Sequence, residues 1–209
     1  MSQIIADFGS GNSCKNDLAY IKRMLDELKA VDTGKHEIVI KWQLFEKAGD
    51  NIPLVWKSFN YAYKYAKKLG YDTTASVFDE PSLYQLMKYD IPFIKIANNR
   101  KLDKLIGLIP RKYPIYVSVG SWGERGKLMP YSDCTVMSCV SKYPAYLEDY
   151  EMTFSSFELR SNVSDHTVGL ELYGKYHPDI WECHYRLDDS TGLDAGLFAK
   201  LPRELSEVL

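Results

Sequence analysis

The chain has 209 residues, and its composition and charge exclude several classes of protein. Its 45% hydrophobic residues, 13 glycines and nine prolines are typical of a globular protein, which excludes a disordered or collagen-like chain. The 26 Lys and Arg residues nearly balance the 28 Asp and Glu residues, for a formal net charge of −2. Such a chain has no overall attraction to nucleic acid or to an anionic membrane, so any anionic ligand must be bound by a local group of cations.

Targeting and redox signals are weak along the chain. No apolar run approaches the roughly 20 residues of a membrane span, and the first residues lack the basic start and apolar stretch of a signal peptide. The four cysteines lie far apart without a Cys-x-x-Cys pair, which argues against a zinc ribbon or a disulfide framework. We therefore expect a cytoplasmic protein with reduced thiols and no membrane partner.

Short apolar runs alternate with segments of helical periodicity, which is the pattern of repeated βαβ units around a parallel sheet. Strands are predicted at residues 4–8, 37–43, 73–77, 93–97, 115–119, 135–141, 162–164 and 180–185. Helices are predicted at residues 17–30, 54–69, 81–89, 102–109 and 168–176. The connections on either side of the sixth strand, including the irregular residues 120–133, give only a weak helical signal.

Eight strands with interleaved helices predict a (β/α)8 TIM barrel, formed by residues 1–209 as one compact domain. This length is near the lower end of the roughly 200 to 400 residues of such barrels, so the loops must be short. The alternative is an open doubly wound sheet.

Polar residues occur near the C-terminal end of every predicted strand, where the catalytic groups of a parallel barrel lie. Side chains two residues apart share a face of a strand, so several of these groups point into one cavity. The pairs that share a face are Lys41 with Gln43, Ser164 with His166, and Glu182 with His184.

Two lysines, Lys41 and Lys95, lie inside apolar strands, and an unpaired buried ammonium group is costly. A phosphate or carboxylate ligand could supply the counter-charge, or a protein carboxylate such as Asp7 or Glu182 could. Two such lysines together favour an anion site. Lysine is also the nucleophile of Schiff-base aldolases, so an aldolase is a second interpretation. The hydroxyl donors expected beside the lysines are Ser76, Ser118 and Ser164.

Two histidines, His166 and His184, lie at the C-terminal ends of the last two predicted strands. Two imidazoles with open coordination positions can hold a divalent cation such as manganese. Asp165 and Glu182 are the carboxylates expected to orient these imidazoles or to hold a metal-bound water. The sequence therefore predicts a metal site at the same end of the barrel as the lysines.

The segments that carry these residues resemble the sialic acid synthase family, which comprises the N-acetylneuraminate synthases and their relatives. The tetrapeptide that begins at Ser164, Ser-Asp-His-Thr, is the most specific match. The matching segments follow the family's order at residues 4–10, 41–45, 76–80, 91–97, 117–121, 139–144, 164–169, 182–185 and 192–194.

Members of that family are metal-dependent barrel enzymes that condense phosphoenolpyruvate with an N-acylated amino sugar and release phosphate. The resemblance implies the same reaction here, with a divalent metal ion, most simply manganese, as cofactor. It also implies a homodimer, which no motif of this chain indicates. The resemblance implies that the catalytic groups are Asp7, Lys41 and Lys95, and that the lysines bind phosphoenolpyruvate together with Ser76, Ser118 and Ser164. The residues implied to contact the sugar are Gln43, Ser141 and Tyr143. The implied metal ligands are His166 and His184, with Asp194 near the metal.

The sequence also departs from the family pattern. Asp7 stands where the family has a glutamate, and Arg100 stands where it has a sugar-facing carboxylate. The change at Arg100 argues against N-acetylmannosamine itself, or suits an acceptor that carries negative charge. Cys183 and Arg186 differ from the family's residues at the eighth strand. The family's C-terminal antifreeze-like domain has no counterpart within the 209 residues, so we expect the barrel alone. A catalytically inactive barrel that binds metal or phosphate is the third interpretation.

Overall fold

The computed structural model describes residues 1–47, 49–121, 123 and 134–209. Eight parallel strands each pair with the next, and β1 also pairs with β8, which closes the barrel. This closure confirms the predicted (β/α)8 barrel and excludes the open doubly wound sheet. The strands are β1 Gln3–Asp7, β2 Glu37–Leu44, β3 Asp72–Val77, β4 Ile94–Ile96, β5 Ile115–Val119, β6 Cys134–Cys139, β7 Asn162–Asp165 and β8 Ile180–His184.

The helices lie outside the strands. Asp17 caps the longest of them by accepting a hydrogen bond from the backbone N–H of Ala19, at 2.8 Å. Gly70, at φ +91°, follows the next long helix and allows the chain to turn into β3. The helices are α1 Gly11–Cys14, α2 Leu18–Val31, α3 Trp56–Lys68, α4 Glu80–Leu86, α5 Asp103–Ile106, α6 Leu147–Thr153, α7 Ser156–Ser161, α8 Glu171–Tyr176 and α9 Pro202–Leu205, with 3₁₀ turns at Arg100–Leu102 and Leu193–Ala195.

The helices that follow β4 and β6 differ from the prediction. The single helix expected at residues 102–109 is a 3₁₀ turn followed by the four residues of α5. Two short helices, α6 and α7, lie between β6 and β7, where the helical periodicity of the residues is weak. Most of residues 120–133 lies outside the described part of the chain.

The interior of the barrel has an apolar floor beneath a polar layer. Ile5, Val39, Phe93 and Met137 form a separate buried cluster inside the barrel. Side chains of a strand alternate between its two faces, so the residue two positions further along each strand points inward above this floor. Those next residues are Asp7, Lys41, Lys95 and Cys139, all of which are buried.

In the described part of the chain, no helix combines the length and the apolar composition needed to cross a bilayer.

Candidate active site

A cavity of about 480 Å³ opens at the C-terminal ends of the strands, and all eight strands contribute to its walls. The catalytic, substrate-binding and metal-binding residues predicted from the sequence meet there with one exception, Arg100. The residues that line the cavity are Asp7, Lys41, Gln43, Ser76, Phe78, Lys95, Ala97, Asn98, Asn99, Ser118, Cys139, Ser141, Tyr143, Ser164, His166, Glu182, His184, Leu193, Asp194 and Phe198.

Lys41 is paired with protein carboxylates. Its Nζ lies 2.7 Å from Asp7 Oδ2 and 3.8 Å from Glu182 Oε1, and it donates a hydrogen bond to Ser76 Oγ at 3.1 Å. Burial alone would lower the pKa of Lys41, but the charges of Asp7 and Glu182 outweigh burial and raise it above the ordinary lysine value. Lys41 is therefore an ammonium ion at neutral pH.

Lys95 has a poorer set of partners than Lys41. Its Nζ donates to Ser118 Oγ at 2.6 Å, and its nearest carboxylate oxygen is Glu182 Oε1 at 3.4 Å. Burial and the nearby charge of Lys41 lower the pKa of Lys95 below its ordinary value, against the opposing effect of Glu182. The two lysines of one cavity thus differ in how firmly they hold their protons.

Glu182 links the two lysines. Its Oε1 accepts a hydrogen bond from Ser164 Oγ at 2.9 Å and faces both ammonium groups, whereas its buried Oε2 has no hydrogen-bond partner among the described residues. Burial raises the pKa of the Glu182 carboxyl, but the charges of Lys41 and Lys95 outweigh burial and hold it below the usual range. The structure therefore realises the carboxylate pairing that the sequence left open, and it leaves one oxygen free to accept a proton.

Asp7 connects the lysines to the histidines. Its Oδ1 accepts a hydrogen bond from the backbone N–H of Gly9, and its Oδ2 accepts from Gln43 Nε2, both at 3.0 Å. Burial opposes ionisation of Asp7, but Lys41 and His184 outweigh it and hold the pKa of this carboxyl well below its usual range. Gln43 also donates to Asp194 Oδ1 at 3.1 Å, so one amide joins the two carboxylates.

His166 and His184 lie side by side at the ends of the neighbouring strands β7 and β8, with ring centroids 5.4 Å apart. His166 Nδ1 lies 2.6 Å from the carbonyl oxygen of Val140, a contact that assigns the proton to Nδ1 and the lone pair to Nε2. Burial and the neighbouring His184 lower the pKa of His166 to about 4, so the ring is neutral at pH 7. His184 Nδ1 is buried without a hydrogen-bond partner in the described chain and lies 3.7 Å from Asp7 Oδ2.

These two imidazoles fit the requirements of metal ligands. A ligating histidine is neutral and commonly donates its second N–H to a backbone carbonyl, as His166 does to Val140. The unpartnered Nδ1 of His184 is a buried polar atom that a cation would satisfy. The described residues contain no cluster of three or more histidine, cysteine or acidic side chains around one point, so a bound cation would take its other ligands from water or substrate.

Aromatic rings form the outer wall beside the histidines. The ring centroid of Tyr143 lies 4.2 Å from that of His166, and the Phe198 ring stands perpendicular to His184 at 5.0 Å. The thiol of Cys139 lies deeper, where burial raises its pKa to about 11 and keeps it protonated. On the opposite wall, Asn98 Nδ2 donates to Ser141 Oγ at 2.9 Å.

Two sequence-based expectations need correction. Arg100 does not line the cavity, because its Nη2 donates to the backbone oxygen of Ser118 at 2.7 Å and its Nη1 lies 3.3 Å from Asp103. Asp165 does not orient the imidazoles, because it accepts hydrogen bonds from Thr167 and Trp181 on the outer face of β7. Strand alternation explains the second case, since Ser164 points inward and its neighbour must point outward.

Several side chains that line the site were missing from the predicted ligand and catalytic sets, among them Asn98, Cys139, Glu182 and Phe198. Glu182 was expected to pair with a lysine, to orient an imidazole or to hold a metal-bound water, and its position two residues before His184 places it on the inward face. Phe198 lies in an irregular segment after the last strand, and no sequence pattern marks it.

Residues 30–207 match the model of the NeuB family. The chain belongs to the NeuB family. This match covers most of the sequence and confirms the resemblance drawn from the strand-end motifs. Comparison with curated protein sequences gives no significant match.

Several solved structures share the barrel fold of this NeuB-family chain. It superposes on N-acetylneuraminic acid (sialic acid) synthetase from Leptospira borgpetersenii in complex with citrate, with a TM-score of 0.80 and 24% identity over 98% of this chain and 80% of that one. It also superposes on a putative spore coat polysaccharide biosynthesis protein E from Chromobacterium violaceum, with a TM-score of 0.77 and 15% identity over 99% of this chain and 72% of that one. For a truncated 3-deoxy-D-arabino-heptulosonate 7-phosphate synthase from Thermotoga maritima, the TM-score is 0.64 and the identity is 13% over 99% of this chain and 83% of that one. At these identities the likeness establishes a shared fold.

Proposed function

We propose that this NeuB-family protein is a synthase that joins phosphoenolpyruvate to an N-acylated amino sugar or related aldehyde and releases phosphate. The observation that carries the proposal is the convergence of two buried lysines and two imidazoles on one cavity. Cations on β2 and β4 suit the anionic donor, and imidazoles on the far wall suit a cation that binds the aldehyde. The product would be a nonulosonic, sialic-acid-like acid.

The donor half of the site consists of lysines and hydroxyl groups. Lys41 and Lys95 would bind the phosphate and carboxylate of phosphoenolpyruvate, with Ser76, Ser118 and Ser164 as hydroxyl donors. These side chains are already held by hydrogen bonds within the cavity, so little reorganisation accompanies the developing charge. The lysines would stabilise negative charge on the departing phosphate throughout the reaction.

His166 and His184 would hold the divalent cation, with manganese as the candidate. When bound, a divalent cation supplies Lewis acidity towards the aldehyde oxygen. Asp194, which lies 3.8 Å from His184 Nδ1 through its Oδ1, would hold water or substrate beside the imidazole.

The chain's own groups would direct the bond changes. The electron pair of the C2=C3 double bond of phosphoenolpyruvate forms a bond from C3 to the aldehyde carbon, and the aldehyde oxygen takes up a proton from solvent and becomes a hydroxyl group. Water then adds to the electron-poor C2, and Glu182 Oε2, which has no hydrogen bond in the described chain, would accept one proton of that water and return it to solvent. In the resulting tetrahedral intermediate, the bond from C2 to the phosphate oxygen breaks, the new hydroxyl group on C2 gives its proton to the departing phosphate, and a keto group forms.

The acceptor half of the site offers neutral polar groups. Asn98, Gln43, Ser141 and Tyr143 line it, whereas Arg100 is directed away from it. Amides, a hydroxyl and a phenol suit the hydroxyl and N-acyl groups of a sugar. We therefore propose a neutral N-acylated amino sugar, and not the negatively charged acceptor that a cavity-facing Arg100 would suit.

The lowered pKa of Lys95 favours a second candidate, a Schiff-base aldolase. An imine intermediate would be trapped covalently at Lys95 when borohydride is added during turnover. The synthase forms no imine, so borohydride would leave its mass unchanged.

Phosphate release tests the proposed function. The protein is incubated with phosphoenolpyruvate, manganese and a panel of neutral amino-sugar and acidic aldehydes. We expect release only when an acceptor is present and its loss in Lys95→Ala and His166→Ala, whereas the exposed-site control Lys175→Ala keeps it. Absence of release with every acceptor would contradict the synthase and favour the inactive, ligand-binding barrel.

A further inference from the structure

A second buried polar cluster, formed by Lys200, Asp165 and Thr167, lies outside the cavity and behind the two histidines. Lys200 is fully buried, with 0% of its surface exposed, and lies in the segment that follows β8. Its Nζ donates a hydrogen bond to the carbonyl oxygen of Thr167 and lies 3.7 Å from Asp165 Oδ2. The proposed reaction uses neither Lys200 nor Asp165.

The backbone of Lys200 extends the barrel beside β8. Its N–H donates to the carbonyl oxygen of His184 at 2.7 Å, and its own carbonyl oxygen accepts from Arg186 N at 3.0 Å. The neighbouring Tyr185 forms a parallel bridge with Lys200. Lys200 therefore binds the carbonyl oxygen of His184 through its backbone and the carbonyl oxygen of Thr167, the residue after His166, through its side chain.

Asp165 completes the connection on the side of β7. Its Oδ1 accepts from the backbone and hydroxyl of Thr167 at 2.7 and 2.8 Å, and its Oδ2 accepts from Trp181 Nε1 at 3.0 Å. Since Trp181 belongs to β8, the carboxylate also joins the two strands. His166 lies between the two residues that this cluster holds, Asp165 and Thr167.

The same segment places an aromatic ring against the imidazoles. Phe198, two residues before Lys200, contacts His184 at 5.0 Å and Tyr143 at 5.1 Å between ring centroids. A shift of the Lys200 segment would move this ring together with the backbone of His184.

We infer that Lys200 is a positioning residue that sets the mutual placement of His166 and His184 by tying the ends of β7 and β8 together. Its consequence for metal binding rests on the proposed function. Groups that orient metal ligands from behind typically affect metal affinity by about 10- to 100-fold. A lysine with a merely structural role would affect stability without moving these two rings selectively.

The test compares Lys200→Met with Leu86→Ala. Leu86 is also fully buried but belongs to α4, which follows β3 on the opposite side of the barrel. Imidazole ring resonances are recorded for the metal-free proteins labelled with ¹⁵N-histidine. The chain has four histidines, and His36 and His177, which precede β2 and β8 at the other end of the barrel, serve as internal controls.

In Lys200→Met we expect the chemical shifts of the His166 and His184 rings to change and those of the His36 and His177 rings to remain unchanged. In Leu86→Ala we expect the chemical shifts of all four rings to remain unchanged. The dissociation constant for Mn²⁺ alone should rise about 10- to 100-fold in Lys200→Met. Binding of sulfate at the lysines should change less than about twofold, since β2 and β4 are untouched by the cluster. Unmoved His166 and His184 signals in folded Lys200→Met would overturn the inference.

Two further outcomes are distinguishable. If the unaltered protein binds no Mn²⁺, the proposed metal site fails, while the ring signals still decide the role of Lys200. If Lys200→Met does not fold, Asp165→Asn/Lys200→Met, in which neither charge is left unpaired, is measured in the same way.

Discussion

Glu182 Oε1 lies 3.4 Å from Lys95 Nζ, and the same oxygen lies 3.8 Å from Lys41 Nζ. One carboxylate therefore serves two ammonium groups, and with Asp7 the cluster holds two positive and two negative charges. A buried charge that lacks a full partner is costly, and Lys95 is the member with the weaker pairing. An incoming anion would thus gain most at Lys95.

Anion binding should depend on the protonation of Lys95. Since burial and Lys41 lower its pKa, the protonated, anion-binding form is lost at a lower pH than for an ordinary lysine. Sulfate affinity, measured by titration calorimetry from pH 6 to pH 10, should therefore fall as pH rises through that lowered pKa. Lys95→Met should bind sulfate about 10-fold or more weakly near neutral pH, as expected for loss of a charged hydrogen bond, and without this pH dependence. A pH-independent affinity in the unaltered protein would contradict this account of Lys95.

Asp7→Asn should destabilise the fold in a pH-dependent way. Removal of one partner from a buried ion pair costs on the order of 3 kcal/mol, since Lys41 loses its partner at 2.7 Å. Because the folded pKa of Asp7 is lowered, its stabilisation is fully present above about pH 5 and is lost as pH falls through the unfolded value near 3.9 towards the folded one. Urea unfolding should show a lower free energy of unfolding for Asp7→Asn than for the unaltered protein at pH 7, and a smaller difference between the two near pH 3.

Asp188→Asn is the matched control for Asp7→Asn, because Asp188 pairs with Arg203 on the surface. It should leave the unfolding midpoint nearly unchanged at both pH values. An equal loss in the two variants would contradict the buried pairing of Asp7.

Gly9→Ala should disturb the site more than Gly34→Ala. Both glycines have a positive φ, +74° and +77°, so an alanine at either position costs roughly 1 kcal/mol in backbone strain. Only at Gly9 would the new Cβ meet neighbours, Ser13 Oγ and Asp194 Oδ2, the latter at 2.7 Å, whereas nothing lies within 4 Å at Gly34. We expect phosphate release to fall at least 10-fold in Gly9→Ala and to persist in Gly34→Ala. Equal rates in the two variants would show that Asp194 tolerates displacement.

Arg100→Ala should act on the donor half of the site and leave acceptor choice unchanged. The guanidinium group supports the carbonyl oxygen of Ser118, whose hydroxyl accepts from Lys95, so its removal should cost about 1 to 2 kcal/mol of stability. Turnover with acidic and neutral aldehydes should decrease by the same factor. A loss confined to acidic acceptors would restore the interpretation drawn from sequence, and the neighbouring exposed variant Lys101→Ala is the control.

Strand positions could be predicted from the sequence because the strands are short apolar runs, and the direction of the inward side chains could be predicted because side chains alternate along a strand with a period of two. Lys41 and Gln43 lie on one face of β2, as expected, and the same rule places Glu182 with His184 on β8. The helices α6 and α7 were not predicted, because seven and six residues are too few to establish a helical period.

The pairing of charges could not be predicted from spacing. Whether Lys95 pairs with Glu182 or only with a ligand depends on contacts between side chains of different strands. The local sequence pattern does not determine such contacts. Arg100 illustrates the same limit, because its position after β4 is compatible with a cavity-facing side chain and only the contacts with Ser118 and Asp103 direct it elsewhere. Lys200 is far from His166 in sequence, and only the folded barrel brings it to Asp165 and Thr167, the two neighbours of His166.

A crystal structure of the protein grown with phosphoenolpyruvate and manganese tests the central claim most directly. We expect an anomalous manganese peak within coordination distance of His166 and His184, and a phosphate group that contacts Lys41 and Lys95 in the same cavity. Phosphoenolpyruvate bound away from both lysines, or manganese bound away from both imidazoles, would contradict the account.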